Sequence, residues 1–276
     1  VKPINVMVNG IPGKVAALVA AHIKRDRRFA LLPYSLTGPE IAETEFSAED
    51  FSVRLLTPDA RESVIDDVIS ACGQIHCVDF THPSAVNANA EFYCGHRLPF
   101  VMGTTGGDRD QLEKIITASP IAAVVAPNMA KQIVGFQAMM AYAAENFPDL
   151  FKGYRLRVLE SHQKGKADTS GTAKAMVHYF NRMGVDFDEA DIEKERDPAA
   201  QISRWGIPEQ YLEGHGWHTY TLVSGDSTVR FEFTHNINGR DIYAGGTIDA
   251  LIYLNRKIAQ GVKGRMFTMI DVLKGN

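Results

Sequence analysis

Short apolar runs alternate with amphipathic segments through residues 4–128. "INVMVNG" (4–10) reads as a strand ending in a glycine turn, and a helical pattern follows from about Lys14 to Lys24. "FALLPYS" (29–35) and "SVRLL" (52–56) are predicted as second and third strands. In "ARESVIDDVISAC" (60–72), Val64, Ile65, Val68 and Ile69 recur at helical spacing. A strand at 75–80, a helix at 83–94 with Pro near its start, a strand at 99–102, a helix at 109–119 and a strand from 121 complete the run. Strands this continuously apolar, each followed by a helix, predict an α/β fold: a Rossmann-type, doubly wound parallel sheet covered on both faces.

The pattern changes after Asn128. A long helix is predicted from about Ala130 to Asn146, then an alternating strand "YRLRVLES" (154–161) and a helix from Thr172 to Met183. The charged span 186–201 reads as a solvated connection. "WHTYTLVS" (217–224) and "TVRFEFTH" (228–235), separated by "GDS", predict a hairpin. Residues 246–260 and 265–274 read as closing helices. This half is predicted to be an α+β domain with a mainly antiparallel sheet, and the chain shows neither an internal repeat nor a low-complexity tract.

Composition narrows the function class. A net charge of −4 argues against nucleic acid as partner, because no positive excess is available to neutralise phosphates. No apolar run approaches the ~20 residues needed to cross a bilayer, and no signal-peptide pattern opens the chain. Opening at Val1 without Met suggests a trimmed or processed chain, with a removed targeting peptide as one origin. Cys72, Cys77 and Cys94 lack the spacing of a zinc site, and no metal is expected; a reducing compartment fits them.

Between the first strand and first helix, Gly10, Gly13 and Ala16 give the spacing GxxGxxA. Glycines at this turn let the backbone approach a pyrophosphate seated on the helix N-terminus. Gly10, Ile11, Pro12, Gly13, Lys14 and Val15 are therefore candidate cofactor contacts, against the alternative of a plain turn. At the end of the second strand, Ser35 and Thr37 stand where a carboxylate would hold a free ribose diol. Hydroxyls there, with Lys14 in reach, suit a 2′-phosphate, so NADPH is expected, with NADH as the alternative cofactor. Phe80 and Thr81, then Gly103, Thr104 and Thr105, then Ala126, Pro127, Asn128 and Met129 follow later strands at the same sheet edge. Singly, each loop is equally a set of turn formers.

"ESHQKGKADTSGTA" (160–173) leaves a strand and enters a helix capped at or near Ser170. Backbone N–H groups around Gly171 and Thr172 can hold a carboxylate, and Lys166 can add a full charge. His162 can exchange a proton near neutral pH. The alternative is a crowded surface loop with a routine cap.

This segment, together with "VNGIPGKVA", "DFTHPSAV", "VMGTTGG", "APNMA" and "FTHNINGR" in order, resembles the dihydrodipicolinate reductase family, in the wording of its plant-type branch. The resemblance implies reduction of 4-hydroxy-tetrahydrodipicolinate in the diaminopimelate route to lysine. His162 would be the acid/base, Lys166 the proton donor that also holds a carboxylate, and Ser170, Gly171 and Thr172 substrate contacts. Gln163 stands where the family has a second histidine, and the Pro before Ser170 is missing. Arg240 is either a second carboxylate partner or a turn arginine. The resemblance further implies a split dinucleotide domain, 1–129 plus 245–276, around a substrate and oligomerisation domain, 130–244. It implies a small-molecule dicarboxylate as partner, no membrane, and a homodimer through the antiparallel sheet, with a homotetramer as the alternative. A bacterial source would place it in the cytoplasm and a eukaryotic one in the plastid stroma. The rivals are a non-catalytic NADP-binding regulator and another two-domain reductase of the aspartate pathway, which would need a different catalytic set.

Overall fold

The computed structural model describes residues 2–275. Its elements run β1 (Ile4–Asn9), α1 (Lys14–Arg25), β2 (Phe29–Leu31), β3 (Tyr34–Leu36), β4 (Glu45–Ser47), β5 (Ser52–Leu56), α2 (Pro58–Cys72), β6 (Ile75–Asp79), α3 (Val86–Gly95), β7 (Phe100–Met102), α4 (Arg109–Thr117) and β8 (Ala122–Val125). They continue with α5 (Lys131–Asn146), β9 (Arg155–His162), α6 (Gly171–Arg182), β10 (Glu193–Glu195), α7 (Pro198–Ser203), β11 (His215–Val223), β12 (Arg230–Asn238), α8 (Asp241–Ala259), β13 (Arg265–Phe267) and α9 (Met269–Lys274). The chain forms two compact units, one of residues up to Val134 and from Asp241 onward, the other Gly135–Arg240.

In the first unit six parallel strands lie in the order β13-β8-β7-β6-β1-β2. Alternate residues of each strand feed opposite cores. Val6, Val8, Val78, Val101 and Val124 pack with α1 and α8, whereas Met7, Cys77, Phe100, Met102 and Ala123 pack with α2, α3 and α4. Burial on both faces explains why the strands read as unbroken apolar runs. The strand order reverses at β1, which lies between β2 and β6, so the loops after β1 and β6 border the crevice where such sheets take ligands.

Three details depart from the sequence pattern. The run 29–35 divides at Pro33 into β2, in the large sheet, and β3, which joins β5 and β4 in a small separate sheet. Proline cannot donate to a ladder, so the division falls where pairing would fail. The helix expected from residue 246 begins at Asp241. Helix propensity hides this start because Gly245 and Gly246 follow; a Cβ on Gly246 would lie 1.7 Å from the Met129 carbonyl oxygen, so helix packing demands glycine there. Residues 265–267, read as helix, form β13 along β8.

In the second unit the sheet order is β10-β9-β11-β12, antiparallel except for the parallel β10–β9 pair. One face carries the core: Val158, Tyr220 and Leu222 from the strands meet Met176, Val177 and Phe180 of α6 and Met140 and Ala144 of α5. The span 186–201 is not a plain solvated connection. It supplies β10 and most of α7, and it buries Gln201 completely.

Candidate active site

In the first unit, Asn9, Asp79, Met102 and Val125 end adjacent strands in one register row. Phe80 N donates to Asn9 O (3.1 Å), Gly103 N to Asp79 O (2.9 Å) and Ala126 N to Met102 O (2.9 Å), so the three later loops leave the sheet side by side. Gly10 (φ +101°) crosses so close to this row that a Cβ would sit 2.2 Å from Phe80 O. A Cβ on Gly13 would sit 2.7 Å from Gly10 O, and one on Gly103 2.3 Å from the Phe80 ring. Gly13 caps α1 with no side-chain hydrogen bond, leaving the first-turn N–H groups without a side-chain partner. A glycine cradle over an uncapped helix start fits a dinucleotide pyrophosphate.

The structure sorts the predicted cofactor contacts. Pro12, Gly13, Lys14, Thr105 and Pro127 are exposed, and Gly10, Val15, Phe80, Thr81, Gly103 and Asn128 half-buried. Ile11, Ala126 and Met129 point into the core, which leaves them only backbone atoms to offer. Thr37 is buried. The Ser35 hydroxyl, fully buried, accepts from Ile11 N (3.3 Å) and therefore holds the glycine loop instead of facing a ligand. Thr104 is likewise committed: its hydroxyl donates to the Asp79 carboxylate (2.6 Å). Asp79, unforeseen from the sequence, also accepts from the Thr81 hydroxyl (2.8 Å), Asn89 (3.0 Å) and Tyr93 (2.8 Å), and Asn9 donates to Tyr93 Oη (2.9 Å). The clue was a polar residue closing each of the apolar strands β1 and β6.

In the second unit β9 delivers Glu160, Ser161 and His162 to the sheet end. Glu160 is fully buried; its carboxylate accepts from Ser170 N (3.0 Å) and from the guanidinium of Arg196. Ser170 is the N-cap of α6, as its position predicts, and its hydroxyl accepts from Thr172 N (3.2 Å). Gly171 is exposed and Thr172 half-buried in that first turn. Arg196 also donates to Lys166 O (2.8 Å) and Glu195 O (2.9 Å), closing the loop 163–169 onto β9. Lys166 meets Asp168 at 2.8 Å, an ion pair that holds the Asp168 carboxyl below its usual range. Gln163 is half-buried, and its carbonyl accepts from Lys166 N (3.0 Å). Arg240 lies just past β12, where its guanidinium donates weakly to Glu213 O (3.5 Å).

His162 Nδ1 faces the His215 carbonyl (3.1 Å) and its Nε2 faces His218 Nε2 (3.3 Å). Gln201 donates to the His162 carbonyl (2.7 Å) and fixes the strand end. Burial pushes the His162 pKa down to about 4, assisted by Arg196 and Lys166 and opposed by Glu160. His218, His235 and His215 are lowered as well, chiefly by burial. Glu160, His162 and His218 offer ligand atoms all within 4.8 Å of one another. The carboxylate of that set is already balanced by Arg196, so two neutral imidazoles are what remains for a cation. Arg196, Gln201 and the histidines beyond His162 were not legible as site residues. For His218 a clue existed: it occupies a core-facing position in the alternation of β11.

Comparison with known proteins follows the same division. Residues 4–129 match the family model described as dihydrodipicolinate reductase, N-terminus, and residues 133–273 the one described as dihydrodipicolinate reductase, C-terminus. The chain is 45% identical over 269 residues to a probable 4-hydroxy-tetrahydrodipicolinate reductase 2, chloroplastic, of Oryza sativa subsp. japonica, covering 98% of this chain and 82% of that protein. It is 43% identical over 272 residues to 4-hydroxy-tetrahydrodipicolinate reductase 1, chloroplastic, of Arabidopsis thaliana, covering 98% and 78%. Among solved structures, a dipicolinate-bound dihydrodipicolinate reductase from Paenisporosarcina sp. TG-14 shares the fold, with a TM-score of 0.66 at 18% identity over 97% of this chain and 98% of that one. Two units with a glycine cradle in one and a His–Lys loop in the other, matched along nearly their whole length, place this chain in the dihydrodipicolinate reductase family.

Proposed function

We propose that the chain is an NADPH-preferring 4-hydroxy-tetrahydrodipicolinate reductase, with His162 and Lys166 as its catalytic residues. The observation that carries the reading is that His162, Lys166 and the first turn of α6 belong to one segment, bolted at Glu160 by Arg196. The names of the relatives supply the reaction class. When bound, the reduced nicotinamide supplies the hydride that replaces the substrate hydroxyl. Residues 10–15 and the loops after β6, β7 and β8 would hold that cofactor, with Lys14 toward a 2′-phosphate.

Lys166 is proposed to give the proton with which the hydroxyl leaves as water, and to hold a carboxylate. Gly171 and Thr172 would take the same carboxylate through backbone N–H and hydroxyl. Gln163 would contribute a neutral amide, and Arg240 a second carboxylate contact. His162, neutral in its buried position, can accept a proton, and a dianionic ligand beside it would raise its affinity for one. The cysteine chemistry of an aspartate-semialdehyde dehydrogenase type finds no support: burial pushes the Cys77 thiol far up, Cys94, on α3, is also raised, and Cys72 ends α2 beside Asn5, at the end of β1 away from the glycine loop.

The sheet face opposite α6 carries a groove of about 530 Å³ lined by Arg157, Leu159, Trp217, Thr219 and Glu232, and we assign homodimer formation to it. No helix among the described residues is long and apolar enough to cross a membrane. A eukaryotic source would put the protein in the plastid, where its plant relatives are named.

The deciding assay supplies purified protein with NADPH and the condensation product of pyruvate and aspartate semialdehyde. Oxidation of NADPH only with that product is expected. Tight NADPH binding without turnover would instead favour a regulator. His162→Gln should mainly lower turnover, and Lys166→Ala should damage turnover and substrate binding together; unchanged kinetics in both would sink the assignment.

A further inference from the structure

We propose that His218 is a positioning residue for His162: it donates its Nε2–H to His162 Nε2 and so fixes that imidazole in one tautomer and one orientation. The proposal rests on the acid/base role given to His162 above.

The hydrogen placement follows from the partners. The His215 carbonyl can only accept, so His162 carries its hydrogen on Nδ1, at 3.1 Å. A neutral His162 then presents a bare Nε2, and His218 Nε2, 3.3 Å away, must bring the hydrogen. That leaves His218 Nδ1 bare, and this buried atom has no hydrogen-bond partner. An unpaired acceptor is easier to bury than an unpaired N–H, which favours this arrangement over its mirror.

The ring of His218 is held from behind as well. It stacks on His235 at 4.6 Å and 28°, and the two residues are register partners across β11 and β12. Its edge meets His162 at 72°, and only 3% of the residue is exposed. The charged and titratable groups facing the pair are Glu160 of β9 (3.9 Å from His218 Nε2), Lys166 and Asp168 of the loop, Arg196 after β10, His215 and Tyr220 of β11 and His235 of β12. Two cations, one buried carboxylate and heavy desolvation favour two neutral rings, so the pair shares a hydrogen and not a charge. A proton arriving at His162 Nε2 would face the His218 N–H unless His218 moved its own hydrogen to Nδ1. His218 thus sets the cost of protonating His162.

Nitrogen-15 NMR of histidine-labelled native protein at neutral pH tests this directly. The expected pattern is protonated Nδ1 and bare Nε2 for His162, with protonated Nε2 and bare Nδ1 for His218. A charged His162, or a hydrogen on its Nε2, overturns the proposal, and this readout needs no variant to fold. In kinetics, His218→Leu should move the acid limb of the kcat/KM pH profile upward by roughly one pH unit. It should also lower kcat about ten-fold with KM little changed. His218→Gln, which keeps an N–H donor, should recover most of that loss. A native pH profile and kcat in His218→Leu overturn the proposal. Intact turnover in His162→Gln would remove the acid/base reading instead, and the native tautomers would still decide the hydrogen bond.

Discussion

Arg196 donates its guanidinium to the fully buried carboxylate of Glu160 and, with its Nε, holds the Lys166 carbonyl at 2.8 Å. One side chain therefore neutralises a charge in the core and closes the loop that carries the candidate proton donor. Breaking a buried pair from one side leaves the other charge uncompensated, at a cost of about 3–5 kcal/mol. Arg196→Met should destabilise the second unit by that order in urea unfolding. The double variant Glu160→Gln/Arg196→Met should regain part of the loss, because no buried charge remains. Equal stability of the single and double variants would mean that the pair is not the anchor.

Stability should fall as the medium is acidified from about pH 6.5 toward 4. His162 and His235 have pKa values lowered to about 4, and His218 is lowered as well, all mainly by burial. In the first unit His76, whose ring nitrogens have no hydrogen-bond partner, is lowered to about 4 by burial alone. A histidine with a depressed folded pKa binds its proton more readily when unfolded. Its contribution is therefore intact above about pH 6.5 and is lost between that value and the folded pKa. Thermal melts across this range should show His76→Leu with a shallower decline than the parent. An identical slope would remove His76 from the account.

The fold was largely legible because the central strands of the first unit, β1, β6, β7 and β8, are buried on both faces and the helices on one. Ser170 was legible too, since a hydroxyl before Gly-Thr at a helix start has one common use. Arg196 and Gln201 were hidden for the opposite reason. They lie in a span so rich in charge that its average polarity masks two residues turned inward. The edge strand Glu193–Glu195 pairs through backbone, which polarity patterns do not report. Ser35 was read as facing a cofactor, whereas its buried hydroxyl turns to Ile11 N; sequence cannot say which way a hydroxyl in so short a strand will turn.

Gly10 and Gly103 should differ in their tolerance of alanine. At Gly10 the added Cβ meets backbone, 2.2 Å from Phe80 O, and the residue has φ +101°. At Gly103 it meets the Phe80 ring, 2.3 Å away, which is a side chain able to shift. Gly10→Ala should therefore cost on the order of 1–3 kcal/mol of stability and most of the cofactor affinity. Gly103→Ala should keep most of its stability and lose affinity only in part. Calorimetric titration with NADPH, read beside the melting temperature, separates the two; equal losses would show that the Phe80 backbone is not the constraint.

Lys14 and Ser35 should answer differently when the cofactor is changed. Lys14 is exposed on the first turn of α1 beside the glycine loop, so its charge is available to a 2′-phosphate. Lys14→Ala should weaken NADPH by roughly 1.4 kcal/mol, a ten-fold change, while leaving NADH nearly untouched. The Ser35 hydroxyl is enclosed and bonded to Ile11 N, so Ser35→Ala should loosen the loop proposed to hold either cofactor. Its effect should be of the order of one lost hydrogen bond, about 1 kcal/mol, and equal for NADPH and NADH. Dissociation constants for both cofactors with both variants make the comparison. A selective loss of NADPH in Ser35→Ala would return that hydroxyl to the phosphate site, and an equal loss in Lys14→Ala would take the lysine out of it.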